Sequence, residues 1–339
     1  MHFPSRLLAG IFIVFVSTAS ALVLSAFIEG DASGKMIGGN PGLEGRNVSD
    51  VLSRLNLLPV GTRERSLFSL IIENHEDARP YHQGVEDALL VQEYPVEGFI
   101  TRFLLTFDTA NVPALLGPVR SLRPYFVDTI LPWKTPILHA GGSPEAFERA
   151  ESIAHFTAIN GLELPKEFVR DDGIPAPHNL FIDRTDALML VRNAGIANVR
   201  WPPYDTGGMQ SNSGALSIYI DYRNPAHNTR YTHDVFSQGY IRENGITVSK
   251  AKPMNVLIME IPIESIGEYG RLSIPLVGRG NALLFRGGTV ERARWERKNL
   301  DEWFTFKTME GDPLTFARGQ TWMTVIPSLS QVEWANQYE

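Results

Sequence analysis

An uncharged apolar run near the N-terminus constrains this chain more than any other feature. Leu7 to Ile28 carries no charged residue, and as a helix it is long enough to cross a hydrocarbon core of about 30 Å. Arg6 precedes the run and Glu29 and Asp31 follow it, so the positive-inside rule places the rest of the chain outside the cytoplasm. Two fates fit the pattern. Ala19-Ser20-Ala21 is a small-x-small cleavage site behind an apolar stretch from Leu7 to Val16. Leu22-Val23-Leu24 continues the run past that site, as an uncleaved anchor does. Residues 1–28 are therefore expected to anchor the chain in the cytoplasmic membrane, with a secreted product if they are cleaved.

Composition narrows the rest. A chain of 339 residues suggests two domains. With 43% hydrophobic and 20% charged residues, it can bury a core without metal or disulfide staples. Lys+Arg 31 against Asp+Glu 38 leaves a net charge of -7, which disfavours nucleic acid as a partner. Cysteine is absent, which removes disulfides, thiolate catalysis, Cys-ligated metals and a lipid-anchoring cysteine.

The pattern predicts a Gly-rich flexible tether over residues 29–64, with glycines at 30, 34, 38, 39, 42 and 45. An α/β domain is expected over 65–200. Leu67–Ile72, Ile100–Phe107 and Pro136–Ala140 read as strands. Val85–Gln92, Arg123–Leu131, Glu145–Ala154 and Asp186–Asn193 read as helices, with Ser143 as an N-cap before Pro144. Residues 201–214, opening on Trp201-Pro202-Pro203-Tyr204, have the composition of a linker. Residues 215–330 predict a β-rich domain with strands at Leu216–Tyr222, Asn255–Ile261, Ala282–Phe285, Trp303–Lys307 and Trp322–Ile326.

Unusual polar residues gather at the expected strand ends, where α/β sheets bind ligands. In order they are Asn74-His75-Glu76-Asp77-Ala78-Arg79-Pro80, Glu97–Phe103, Gly117–Tyr125, His139-Ala140-Gly141-Gly142-Ser143 and Pro177-His178-Asn179. These five segments resemble, in the same order, the N-H-x-x-A-R-P, E-G-x-x-T-R-F, G-P-V-R-S-x-R-P-Y, H-A-G-G-S and P-H-N motifs of the YerB-like family of bacterial envelope proteins. Asn255-Val256-Leu257 and Gly319-Gln320-Thr321-Trp322 match that family's β-rich C-terminal domain. The resemblance spans roughly residues 65–328 and implies an envelope location but no activity. Many members resemble lipoproteins; this chain lacks their cysteine and has a longer apolar segment instead.

The residue types carry the chemistry. Arg79, Arg102, Arg120, Arg123 and Arg170 form an expected anion-binding set, because guanidinium groups bind phosphate and carboxylate bidentately. Gly141, Gly142 and Ser143 precede a helix, where backbone N–H groups can approach the same anion. Each arginine could instead pair with an acid: Glu97 for Arg102, and Glu76, Asp77 or Asp128 for the others. Glu97, His139 and His178 are the candidate acids and bases; Asn74, Thr101, Ser121 and Asn179 are supporting polar groups. Ser143 reads as a helix cap before a nucleophile. His75-Glu76-Asp77 lacks the His-Glu-x-x-His spacing, so no metal site is expected, although Asp77, Glu97 and a bound phosphate together suit a hard divalent cation. Gly278-Arg279-Gly280 and Gly287-Gly288 read as β-turns rather than a phosphate loop, and Trp295, Trp303 and Trp322 as core before sugar-stacking surface.

The expected function is binding of an anionic envelope molecule through an arginine-rich cleft, with no cofactor and with a protein partner at the β-rich domain. Two alternatives stay open: an enzyme on phosphodiester- or pyrophosphate-linked envelope glycans, and a non-catalytic scaffold.

Overall fold

Leu67-Phe68-Ser69-Leu70-Ile71-Ile72 is apolar on both faces, which suits a strand covered on both sides. The computed structural model, which describes residues 63–338 apart from 197, 208–212 and 267–269, places it inside the largest sheet, with a strand on either side. The first region contributes β1 (Arg63–Glu73), β2 (Leu90–Pro95), β3 (Thr101–Asp108), β4 (Leu115–Leu116), β5 (Ile137–His139), β6 (Ala158–Asn160), β7 (Phe168–Arg170), β8 (Leu180–Asp183) and β9 (Asn198–Trp201). It also contributes the short helices α1 (Pro124–Ile130), α2 (Pro144–Glu151) and α3 (Arg184–Asn193). The second region contributes β10 (Ser217–Ile220), β11 (Thr229–His233), β12 (Tyr240–Asn244), β13 (Thr247–Val248), β14 (Asn255–Glu260) and β15 (Glu264–Ile266). It continues with β16 (Arg271–Ser273), β17 (Gly278–Arg286), β18 (Thr289–Arg297), β19 (Thr305–Thr308), β20 (Thr321–Ile326) and β21 (Val332–Ala335). The described residues are thus largely β-structure with few helices.

Strands of both regions share one 11-stranded sheet in the order β19-β18-β17-β14-β20-β2-β3-β1-β5-β6, with β9 pairing β1. The join is β20 on β2, parallel, with Trp322 opposite Val91. The expected linker therefore connects regions that pair edge to edge. Its first residue, Trp201, is buried and closes β9 against Arg63 of β1. The second sheet runs β13-β12-β11-β10-β21.

Side-chain alternation sorts two cores. Phe68, Leu70 and Ile72 of β1 cluster with Ile218 and Ile220 of β10, Tyr231 of β11 and Tyr240 of β12, so the five-stranded sheet covers one face of the large one. Leu67 and Ile71 cluster with Tyr125, Phe126 and Ile130 of α1 and Ala146 and Ala150 of α2, so these helices cover the other. Each such side chain stabilises by about 1.5–3 kcal/mol on full burial.

The helices expected at Arg123–Leu131, Glu145–Ala154 and Asp186–Asn193 correspond to α1, α2 and α3. Ser143 caps α2 as expected, its Oγ accepting from the Ala146 N–H at 3.3 Å. The helix expected over Val85–Gln92 does not form: a 3-10 turn at Val85–Asp87 follows left-handed Gly84, and β2 begins at Leu90. Strands on either side of β2, together with the packing on its two faces, bury all of it but Pro95. The polar pair Gln92-Glu93 hides a central strand from periodicity. Arg63 and Glu64, placed at the end of the tether, open β1 instead. Gly278-Arg279-Gly280 is strand rather than turn, and Gly280 lies against Trp295, where an added Cβ would meet the indole at 2.6 Å. Gly287-Gly288, both at positive φ, makes the turn between β17 and β18. The expected anchor, and the tether up to residue 62, lie outside the described residues. Among the described residues no helix is long and apolar enough to cross a membrane.

Candidate functional site

Residues 117–123 cross the C-terminal ends of β1 and β5 as an extended segment. The Arg120 N–H donates to Ile71 O, its carbonyl accepts from the Ala140 N–H, and the Leu122 N–H donates to Gly141 O. This pinning aims Arg120 and Arg123 at the end of the sheet. Arg102 reaches the same place from the second residue of β3, where it is paired with Glu73 across the ladder.

The three arginines do meet. Arg102 Nη1 donates to the Ser121 carbonyl at 2.8 Å. Arg120 pairs with Glu73 at 2.7 Å. Arg123 holds Glu97 with two bonds, Nε–Oε1 at 2.8 Å and Nη2–Oε2 at 3.0 Å. The ion pair expected between Glu97 and Arg102 is therefore replaced by one to Arg123, whose fork matches the carboxylate bidentately. Three guanidinium groups share two carboxylates, and Arg102 has no carboxylate partner among the described residues. Burial, and then the charge of Arg123, push its pKa down to about 10. Burial alone would raise the Glu97 carboxyl, but Arg123 holds it below its ordinary value.

His178 joins through Glu73: its Nδ1 donates to Glu73 Oε2 at 2.9 Å, and its ring stacks on His75 with centroids 5.1 Å apart. Ser121 contributes its carbonyl to Arg102. Glu97, expected as an acid or base, serves as the partner of Arg123 and is not free to be a cation ligand beside Asp77.

The other expected residues lie elsewhere. Arg79 is buried between the two regions, donating to Asn74 Oδ1, Ala226 O and Asn244 O and meeting His227 Nδ1. Its guanidinium is held by backbone carbonyls, an amide and an imidazole, apart from the Arg102, Arg120 and Arg123 cluster. Arg170 donates to Asn179 Oδ1 at 2.7 Å on an exposed strand, and Asn179 Nδ2 donates to Asp171 O. The Gly141 N–H is occupied by Asn160 Oδ1 at 2.8 Å, and Ser143 Oγ by the cap. The Gly141-Gly142-Ser143 turn therefore presents no free Gly141 N–H to an anion. His139 is buried, bonded to the Gly141 carbonyl at 2.8 Å and packed against Phe147; burial lowers its pKa. It is a structural imidazole rather than an acid–base group of the cluster. Trp295 and Trp322 are buried and Trp303 stacks on Trp133, so the tryptophans pack rather than line a sugar surface.

Asn74 and Thr101 belong to a buried polar junction that sequence reasoning missed. Thr101 Oγ1 donates to Glu93 Oε1 at 2.6 Å, and Asn74 Nδ2 donates to Thr101 Oγ1 at 2.6 Å. Arg242 of β12 reaches Glu93 at 2.9 Å, and Trp322 Nε1 donates to Glu93 Oε2 at 2.8 Å. A lone acid in an apolar strand was the available signal, since buried charges require partners.

Two further histidines, half-buried His82 and buried His227, set an acid sensitivity. Burial holds both His82, whose Nε2–H donates to Glu73 O, and His227, with Arg79 beside it, at about 4. The unfolded chain protonates near 6.5, so between pH 6.5 and about 4 it binds more protons than the folded one. Stability from these groups is whole above pH 6.5 and declines as pH falls toward 4. Urea midpoints are expected to drop between pH 6.5 and 5, before ordinary carboxylates titrate; a flat midpoint there contradicts the assignment.

Comparison with known proteins agrees with this architecture. A family described as "Protein of unknown function (DUF3048) N-terminal domain" matches residues 58–197, and its C-terminal domain matches residues 218–323. A Bacillus subtilis (strain 168) protein named "Putative lipoprotein YerB" is 30% identical over 279 residues, covering 78% of this chain and 82% of that protein. The crystal structure of the YerB protein from Bacillus subtilis superposes with a TM-score of 0.71 at 27% identity, over 80% of this chain and 94% of that one.

Proposed function

Because the chain belongs to the DUF3048 family, to which the description attaches no activity, we propose its function from the arginine cluster: it binds an anionic cell-envelope molecule outside the cytoplasm, held to the membrane by residues 1–28. The observation that carries this reading is Arg102. It is a partly buried guanidinium whose one hydrogen bond among the described residues goes to a carbonyl, flanked by two arginines that already hold both local carboxylates. A phosphate or carboxylate guest supplies the missing negative charge and restores the pKa that burial and Arg123 lower. The location outside the cytoplasm is supported by the charges flanking Leu7–Ile28 and by the lipoprotein name of the Bacillus relative. Candidate guests are phosphorylated glycans, teichoic-acid-like polymers, peptidoglycan carboxylates and lipid-linked pyrophosphates.

A second reading, turnover of a phosphodiester or pyrophosphate bond, is favoured by one contact. Glu73 orients His178 through Nδ1, as a carboxylate orients a general base, beside Arg120 on the same carboxylate.

A thermal-shift screen of the full chain in detergent against phosphosugars, polyprenyl pyrophosphate analogues and muropeptides tests the first reading. At least one anion is expected to raise the melting temperature, and Arg102→Ala to remove that rise while its ligand-free melting stays near the parent's. A parent that responds to none of them, or a response that Arg102→Ala leaves intact, sinks the proposal. Phosphate release during the screen would favour turnover.

A further inference from the structure

We propose that His75, Asp77 and His178 form a binding site for a divalent transition-metal ion of the zinc class, with Glu73 as the positioning carboxylate. One ligand atom from each of the three lies within 4.8 Å of the others. Metal–ligand bonds of about 2.0–2.2 Å require a tighter set; His75 Nδ1 and Asp77 Oδ2 are already 3.5 Å apart, and binding requires the stacked His75 and His178 rings to turn their lone pairs toward one point. Two imidazoles and one carboxylate are a donor set for zinc rather than for calcium or magnesium, which take oxygen ligands. Three protein ligands leave a fourth position open, the arrangement of sites that exchange water or substrate.

The surroundings of His178 support the same conclusion independently. With Nδ1 donating to Glu73 Oε2 at 2.9 Å, the Nε2 lone pair is left for a metal. A carboxylate on the far nitrogen is the usual outer partner of a metal-binding histidine. Glu73 is itself fixed by Arg120 at 2.7 Å. His75 sits in a turn closed by the Ala78 and Arg79 N–H groups, both donating to its carbonyl. Arg120 works against a dication here, and Glu73 and Asp77 offset it. None of the three ligands is fully buried, so the ion has a path in. The sequence pattern hid this site because His178 joins His75 and Asp77 only through the fold. The inference does not rest on the anion-binding reading.

Equilibrium dialysis of the EDTA-stripped full chain in detergent against Co²⁺, followed by displacement with Zn²⁺, tests it. One Co²⁺ per chain is expected, with the visible absorption of a tetrahedral ion that zinc abolishes. His178→Ala and Asp77→Asn should each weaken uptake at least tenfold. Glu73→Gln should weaken it by about 10–100-fold while keeping the tetrahedral spectrum. Asp77 is exposed, so its variant reports on the site without disturbing the core. Failure of the parent to take up stoichiometric cobalt, or uptake unchanged in Asp77→Asn and His178→Ala, overturns the proposal.

Discussion

Arg242→Met is expected to lower the stability of the protein by about 3–5 kcal/mol, the cost of leaving one member of a buried ion pair uncompensated. Glu93 is fully buried on β2 and Arg242 nearly so on β12. Arg242 Nη2 reaches both carboxylate oxygens, at 2.9 and 3.1 Å. Its guanidinium also lies over the Trp322 ring, 4.4 Å from the centroid. Burial works against the Arg242 charge, yet Glu93 beside it raises its pKa above the ordinary value. Without Arg242 the Glu93 carboxylate keeps Thr101 and Trp322 as donors but loses its only ion-pair partner among the described residues, leaving Arg79 as a more distant positive charge. The pair also joins the large sheet to the five-stranded one, so the loss should appear as a lower urea midpoint for the whole unit. Replacing both residues, Glu93→Leu with Arg242→Met, should recover part of the loss, since an apolar pair of similar volume often matches a buried ion pair. A single-variant loss below about 1 kcal/mol, the range of an exposed pair, contradicts this account of the junction.

Arg79→Met is expected to cost about 2–6 kcal/mol and to leave anion binding by the folded protein unchanged. Arg79 donates to two carbonyls from the second region, Ala226 O at 2.5 Å and Asn244 O at 2.9 Å. Leaving two buried carbonyls without donors costs about 1–3 kcal/mol each. Asn244 shares the arrangement, donating to His227 O at 2.7 Å and accepting from Asn74 Nδ2 at 2.9 Å. The contrast with Arg102→Ala is the informative part: one arginine should lose stability and keep binding, the other the reverse. Denaturant midpoints and ligand titrations on both variants separate the two roles; anion affinity lost in Arg79→Met at full occupancy of the folded state would place Arg79 back in the site.

These two arginines also mark how far the sequence was legible. Local signals carried well. The apolar run of β1, the aromatic and β-branched β3, and Pro144 after Ser143 at α2 each formed the element their residues favour. Elements whose pattern depends on distant partners were not legible. β2 reads as a helix until β20, far along the chain, is known to flank it. β18 carries Arg292, Arg294 and Glu296 outward and Ala293, Trp295 and Arg297 inward. Its period of two is present but buried in a charged stretch.

The site divides the same way. Arg102, Arg120 and Arg123 lie on adjacent elements and converge because the 117–123 segment crosses the strand ends beside β3. Arg79 sits in an equally polar motif, yet apart from Asn74 its partners come from residues 226–244, and no spacing announces that. Glu97 and Glu73 show why residue type alone misassigns roles. Both are acids within reach of several arginines, and only geometry decides that Arg123 takes Glu97, that Arg120 takes Glu73 and that Arg102 takes neither.

The most direct test of that last point is isothermal titration of pyrophosphate into the full chain in detergent, alongside Arg102→Ala. The expected result is one saturable site in the parent that weakens about 10–100-fold in the variant, the worth of about 1.5–3 kcal/mol for a charged hydrogen bond, with melting unchanged. Equal affinity in both proteins, or no saturable site in the parent, would contradict an arginine cluster short of one negative partner.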